Sequence, residues 1–268
     1  MYLVVAAKRR LLQLVAAAAF LLLLLLLLSR AGALPVAATS RLLPVYEVDT
    51  EEPLVAISFD ASWGAEHTGA ILDVLDSYGV KTTFFLVNLW LEDYPEQARE
   101  IVARGHEIGL HSATHPDMAS LSREQIDREL ADNYALIKET TGFDPNLFRP
   151  PYGSYNDALI TAAHDAGFIP VQWSVDSLDW QDLSADEIFR RVTADVHPGD
   201  IVLFHNNGLH TAEALPQVLD YFEQRGLRVV PVSPATAGDG YPVGGEGNYP
   251  EQGSTSSPGA SSPAEQRP

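Results

Sequence analysis

The 268-residue chain contains no cysteine, and its 17 lysines and arginines face 36 aspartates and glutamates. Without cysteine there is no disulfide framework, thiolate zinc site or cysteine nucleophile, so any chemistry rests on oxygen and imidazole groups. Positive charge is scarce in one part of the chain only. Lys8, Arg9, Arg10, Arg30 and Arg41 all precede the first acidic residue, Glu47, leaving 12 basic residues against all 36 acidic ones beyond Arg41. A region of that charge repels nucleic acid and anionic lipid, so a neutral polymer or a small molecule is the expected partner. No glycine-rich phosphate loop follows the first predicted strand, which argues against a nucleotide-binding fold.

The chain is rich in leucine near its start. Lys8-Arg9-Arg10 precedes Leu11 to Leu28, whose only polar member is Gln13, and Ser29-Arg30 and Ala31-Gly32-Ala33 follow. At about 1.5 Å per residue a helix over this run spans roughly 27 Å, near the hydrocarbon thickness and longer than the core of about 7–15 residues in a signal peptide. Residues 1–33 are expected to be a signal-anchor or transmembrane segment, with a secreted product as the alternative if the chain is cut after Ala33. Three positive charges before the span, against Arg30 alone just after it, predict a cytoplasmic N-terminus and a single-pass protein whose main domain lies outside. Residues 236–268 contain seven Gly, five Pro and five Ser, with Val243 the only aliphatic side chain larger than alanine. Such a segment cannot bury a core and is expected to be a disordered tail. Residues 43–235 remain as one domain, without internal repeats.

Within that domain short apolar runs alternate with helical patterns. Strands are predicted at Leu54 to Phe59, Thr82 to Val87, Glu107 to Leu110, Leu147-Phe148, Ile169 to Trp173, Ile201 to Phe204 and Leu227 to Val232. Helices are read at Ile71 to Tyr78, from Ser122, at about Asn156 to Ala166, from Ser184 and from Thr211, two of them announced by capping boxes, Ser122 with Gln125 and Ser184 with Glu187. Repeated βα units imply a parallel sheet, and about seven strands in so few residues predict an α/β fold, a distorted and incomplete (β/α) barrel.

Polar residues fall where those strands end: Asp60, His111, Arg149, Asp176 with Asp179, and His205. In a (β/α) barrel the carboxyl ends of the strands converge on one face, where active sites are built. Asp and His also serve as turn formers, which accounts for any one of these residues but poorly for all of them together. His111 and His115 stand four apart, which on one helical turn would point both imidazoles the same way, as divalent-metal ligands require. Asp60 is the candidate carboxylate beside them. His67, His106, His164, His197 and His210 are read as structural or exposed. Arg149-Pro150-Pro151-Tyr152-Gly153 is stiffened by two prolines, and Trp63, Trp90, Trp173 and Trp180 are candidates for stacking on sugar rings.

These blocks, taken in order, resemble the polysaccharide deacetylases of carbohydrate esterase family 4, the NodB-homology domain. The matching phrases are Ser58-Phe59-Asp60, His111-Ser112-x-x-His115, Arg149-Pro150-Pro151-Tyr152, Asp176-x-x-Asp179-Trp180 and Leu203-Phe204-His205, across Tyr46 to Val232 and closest to the sporulation-type branch. The resemblance implies a distorted (β/α) barrel that hydrolyses N-acetyl groups of amino sugars in peptidoglycan, chitin or related glycans. It implies that Asp60 is the general base, that His111 and His115 ligate a divalent metal, zinc by preference, and that His205 is the general acid. Arg149 would hold Asp60 ionised, Asp179 would orient His205, the Tyr152 N–H would face the oxyanion, and Trp180 and Leu203 would line the acetyl pocket. One position departs from the pattern: where the family carries a second aspartate as the metal's carboxylate ligand, this chain has Ala61. The metal then falls to the two histidines with water, to Asp60 itself, or to a substitute such as Ser62, Glu66 or His67. Competing readings are a catalytically impaired glycan-binding homologue, a glycosidase using Asp60 with Asp176 or Asp179, and a structural envelope protein.

Overall fold

The computed structural model describes residues 15–16, 18–21 and 41–233, in two compact units divided after Ser40. In the first unit the described residues are helical and exposed. Most of the Leu11 to Leu28 run, and all of 236–268, lie outside the described residues. No helix among the described residues is long and apolar enough to cross a membrane.

The second unit is built on eight strands: Leu54–Ala61 (β1), Thr83–Leu86 (β2), Glu107–Leu110 (β3), Leu147–Phe148 (β4), Ile169–Pro170 (β5), Val175–Asp176 (β6), Ile201–His205 (β7) and Arg228–Val230 (β8). Every pair among them is parallel, in the order β5-β4-β3-β2-β1-β7-β6, with β8 on the first half of β1. The helices are Thr68–Ser77 (α1), Asn88–Asp93 (α2), Pro95–Ala103 (α3), Arg123–Thr141 (α4), Asp157–Asp165 (α5), Ala185–Thr193 (α6) and Thr211–Gln224 (α7). The incomplete barrel expected from the sequence is therefore present. One predicted strand needs correction: Ile169 to Trp173 is not continuous. Its first residues pair with β4 and the chain then crosses to pair Val175–Asp176 with β7, so this one segment joins the two open edges of the sheet.

Period-two alternation sorts the side chains into two layers. Ile57, Phe59 and Ala61 of β1, Phe84 and Leu86 of β2, and Val202 and Phe204 of β7 pack in the larger apolar layer with the helices, where the Phe59 ring stacks on Phe84 at 4.8 Å. The intervening residues, Ser58 and Asp60, Phe85, Gly109, Leu203 and His205, take the opposite face, the barrel interior. Helix α4 shows how local sequence sets these positions. Ser122 and Gln125 form the reciprocal cap, Gly142 ends the helix at φ 73°, and Ile126, Leu130, Asn133 and Ile137 form its buried stripe. A single asparagine in that stripe matters for the site.

Candidate active site

Asp60 ends β1 and His205 ends β7, and the two are direct register partners across the sheet. Arg149 follows β4 and is fully buried. Its guanidinium donates from Nη1 to Asp60 Oδ1 at 2.8 Å and from Nη2 to Ser58 Oγ at 2.9 Å and to the Gln172 carbonyl at 3.0 Å. The cation lies 4.1 Å over the Phe85 ring. That ring can occupy the barrel interior because its register partner is Gly109, where a Cβ would strike it. Burial pushes the Asp60 carboxyl upward, but Arg149, with His111 and His205, outweighs it and holds the group below its ordinary range. Asp60 is thus a carboxylate at neutral pH.

The second pair is equally well partnered. Asp179, fully buried, accepts from His205 Nδ1 and from the His205 backbone N–H, both at 2.8 Å, and from the Thr211 hydroxyl at 2.6 Å. Gly208 leaves room for this, since a side chain there would collide with Thr211 and Asp179. Burial lowers the His205 pKa, yet the Asp179 bond and charge, with Asp60 and Asp176, raise it above its ordinary value. With Nδ1 fixed on Asp179, the Nε2–H is the donor left for substrate. Asp176 serves locally, accepting from Trp173 Nε1 at 3.2 Å and from the Leu178 N–H at 2.9 Å. The contacts of His205 and Thr211 engage Asp179 fully and remove it as the partner of Asp60 in a glycosidase pairing, while burial raises the Asp176 pKa.

His111 and His115 do come together, with ring centroids 4.9 Å apart, but not on a helical turn. The segment is a folded loop in which Ser112 and His115 have φ values of 72° and 55°. Helix α4 holds that loop. Asn133, fully buried, accepts from the His111 N–H at 2.9 Å and donates to the Leu86 carbonyl at 3.0 Å. One turn earlier, Glu129 accepts from the Ala113 and Thr114 N–H groups at 2.9 and 2.8 Å. Neither residue was foreseen from sequence. A polar side chain within the apolar stripe of α4 was the available signal for Asn133, whereas Glu129 carried none.

These imidazoles suit a metal only in part. The Nδ1–H of His111 donates to the Arg149 carbonyl at 2.8 Å, leaving the Nε2 lone pair 3.5 Å from Asp60 Oδ2. His115 Nδ1 is buried without a hydrogen-bond partner. Burial holds both rings neutral, His115 at about 4 with His111 adding to the shift. Two lone pairs therefore stand open, as a metal needs. A catalytic zinc takes three protein ligands and keeps a fourth position free, and the third is missing. Ala61 offers only a methyl, fully buried in the apolar layer. Glu66 is exposed and His67 is the residue that precedes α1 at its N-cap. Among the described residues no group of three His, Cys, Asp or Glu could hold a metal ion.

Tyr152 takes a left-handed backbone at φ 60° and its hydroxyl donates to the His115 carbonyl at 3.2 Å. Trp180 follows Asp179 and is exposed, while Leu203 is buried in β7, in register with Ser58 and Asp176. Of the other histidines, His106 is buried just before the start of β3, and His197 and His210 meet nearby carboxylates at the surface.

The strand ends of the half-barrel thus carry a buried Arg–carboxylate pair and a carboxylate-held histidine. The sequence profile of the polysaccharide deacetylase family matches residues 47–171. A peptidoglycan-N-acetylglucosamine deacetylase of Bacillus cereus is 33% identical over 193 residues, covering 70% of this chain and 90% of the relative. The chain belongs to the polysaccharide deacetylase family, whose enzymes are hydrolases. The uncharacterised protein YlxY of Bacillus subtilis is 34% identical over 183 residues, 68% of this chain, and the match spans only 57% of YlxY. Among solved structures, BA3943 of Bacillus anthracis, described as a CE4 family pseudoenzyme, superposes with a TM-score of 0.70 at 32% identity, covering 72% of this chain and 68% of that one. A mutant of BA3943 described as having restored enzymatic activity superposes equally well.

Proposed function

We infer that the chain is an extracytoplasmic polysaccharide deacetylase, held at the membrane by its N-terminal segment, that hydrolyses N-acetyl groups of amino sugars in peptidoglycan or a related glycan. The observation that carries this reading is the Asp60–His205 register pair, one member kept anionic by Arg149 and the other kept protonatable by Asp179. A water between them gives its proton to Asp60 as its oxygen bonds to the acetamide carbon. The Tyr152 N–H faces the oxyanion that forms. His205 delivers the Nε2 proton to the nitrogen as the carbon–nitrogen bond breaks, and acetate and a free amine leave. Relatives of this family are divalent-metal enzymes, and His111 and His115 are the positions for that ion. Ala61 leaves the ligand set for that ion one short.

The test is acetate released from peptidoglycan and from N-acetylglucosamine oligomers by the full-length protein, with Asp60→Asn and His205→Ala alongside and with chelator and zinc arms. Acetate release lost in both variants supports the assignment. A folded protein that releases none supports a second reading, a glycan-binding homologue without turnover. Ala61 and the pseudoenzyme neighbour are the specific observations in its favour.

A further inference from the structure

The exposed large apolar side chains of the second unit are Trp63, Leu89, Tyr152, Trp180 and Leu209. Each follows the carboxyl end of a strand: β1, β2, β4, β6 and β7 respectively. Among the described residues of this unit, large apolar surface is thus left open only on the face that holds the site. Of the four tryptophans that could stack on a sugar, Trp90 is buried in the core and Trp173 lies 5.5 Å from the Arg149 cation. Trp63 and Trp180 remain.

Trp63 is presented in a fixed position. The next residue, Gly64, turns at φ 61°, and its carbonyl accepts from Trp90 Nε1 at 2.6 Å and from Asn206 Nδ2 at 2.8 Å. The indole meets His115 edge to face at 5.0 Å, and Tyr152 meets the same imidazole from another side at 4.6 Å. Edge contacts leave most of both rings open: Trp63 is 56% exposed and Tyr152 66%. Leaving an indole in water forgoes a large burial gain, and here two partly buried hydrogen bonds on the adjacent carbonyl hold the loop that keeps it there. A flat, rigid aromatic face beside a polar cleft complements the C–H face of a pyranose, and the strongly acidic charge of this region disfavours a polyanion in that place.

We propose that Trp63, with Tyr152, is a platform for the sugar next to the one whose acetyl group enters the site, so that the protein reads a neutral amino-sugar oligomer rather than a monosaccharide. This rests on the glycan reading above and assigns Trp63 the role of selecting for chain length. The test is calorimetric binding of N-acetylglucosamine and of its tetramer to the full-length protein, using Asp60→Asn to prevent turnover, with and without Trp63→Ala. The tetramer should bind more than tenfold tighter than the monomer, and Trp63→Ala should remove about tenfold of that advantage while moving the monomer far less. Equal tetramer affinity with and without Trp63→Ala overturns the proposal and leaves the glycan reading intact. Equal weakening of monomer and tetramer also overturns it, since Trp63 would then act by packing on His115. Binding of neither sugar overturns the glycan reading and this proposal with it. Should Trp63→Ala fail to fold, Trp63→Phe is read instead: it keeps an aromatic face, must bind the tetramer more weakly than the indole does, and must lose the blue shift of tryptophan fluorescence on tetramer addition.

Discussion

Replacing Arg149 by methionine separates the stabilising charge from the volume of this buried side chain. The guanidinium touches Asp60 at 2.8 Å, and both side chains are nearly inaccessible, at 0% and 7%. Two unit charges 4 Å apart at an effective dielectric of 20 attract by about 4 kcal/mol. Removing one partner of such a buried pair costs about 3–5 kcal/mol, because the other charge stays buried alone. Methionine retains contact with Phe85 and Trp173, so electrostatics should dominate the loss. Arg149 Nε is itself buried without a partner, which limits the net gain from the intact pair. Arg149→Met combined with Asp60→Asn should therefore recover about 2 kcal/mol relative to Arg149→Met alone. The pH dependence fixes the sign. In the wild-type protein the folded Asp60 pKa is depressed, so its contribution to stability is present above the unfolded value near 3.8 and is lost as pH falls through the folded pKa. Without Arg149 burial dominates, the folded pKa rises above the unfolded one, and the deficit of the variant grows as pH rises from 3 to 7. Urea unfolding of the four proteins of the cycle at several pH values measures all of this. A loss below about 1 kcal/mol for Arg149→Met, independent of pH, would refute the assignment of Arg149 as the charge that holds Asp60 ionised.

Three further outcomes are expected. Asp179→Asn removes the bond and charge that raise the His205 pKa, so burial prevails and the imidazole, followed by its ring-proton NMR titration, should titrate at lower pH; an unchanged titration would remove Asp179 from its tuning role. Ala61→Asp places a carboxylate in an apolar layer and should cost several kcal/mol in chelator, then regain stability with zinc by a larger thermal shift than the wild-type protein shows; equal shifts in both proteins would mean that the third ligand comes from elsewhere. Thr82 N–H donates to His106 Nδ1 at 3.2 Å, and burial lowers this ring's pKa to about 4, so neutral His106 contributes stability that is lost as pH falls from 6.5 to 4. At 1.36 kcal/mol per unit that is about 3 kcal/mol, and His106→Gln should flatten urea-derived stability over this interval by that amount.

The strand ends were legible because each is an apolar run closed by one polar residue, and the capping boxes at Ser122 and Ser184 marked their helices directly. Helices α2 and α3 were not foreseen. Between Asn88 and Ala103 the polar content is high and Tyr94-Pro95 interrupts the pattern, so only tertiary contacts through Trp90, Leu91, Ala98 and Ile101 fix them. The break between β5 and β6 was hidden for a related reason. A two-residue strand is defined by its partners, Phe148 on one side and Leu203 on the other, and these lie far away in sequence. The helical turn predicted for His111 to His115 failed because spacing alone does not see Glu129 and Asn133, which hold the loop from a different element.

Those same contacts explain how the site persists with alanine at position 61. Its acid–base half is internally neutralised: Arg149 balances Asp60, and a protonated His205 balances Asp179, so neither pair calls for an external cation. Its imidazole half is uncharged, since burial holds His111 and His115 neutral, and α4 rather than a metal supplies the hydrogen bonds that shape their loop. A second aspartate beside Asp60 would place another anion in this buried region, and only a bound cation or protonation would offset it. With Ala61 that requirement disappears. The fold therefore holds Asp60, Arg149, Asp179 and His205 without an uncompensated charge, and Ala61 removes no ionic partner that this arrangement needs.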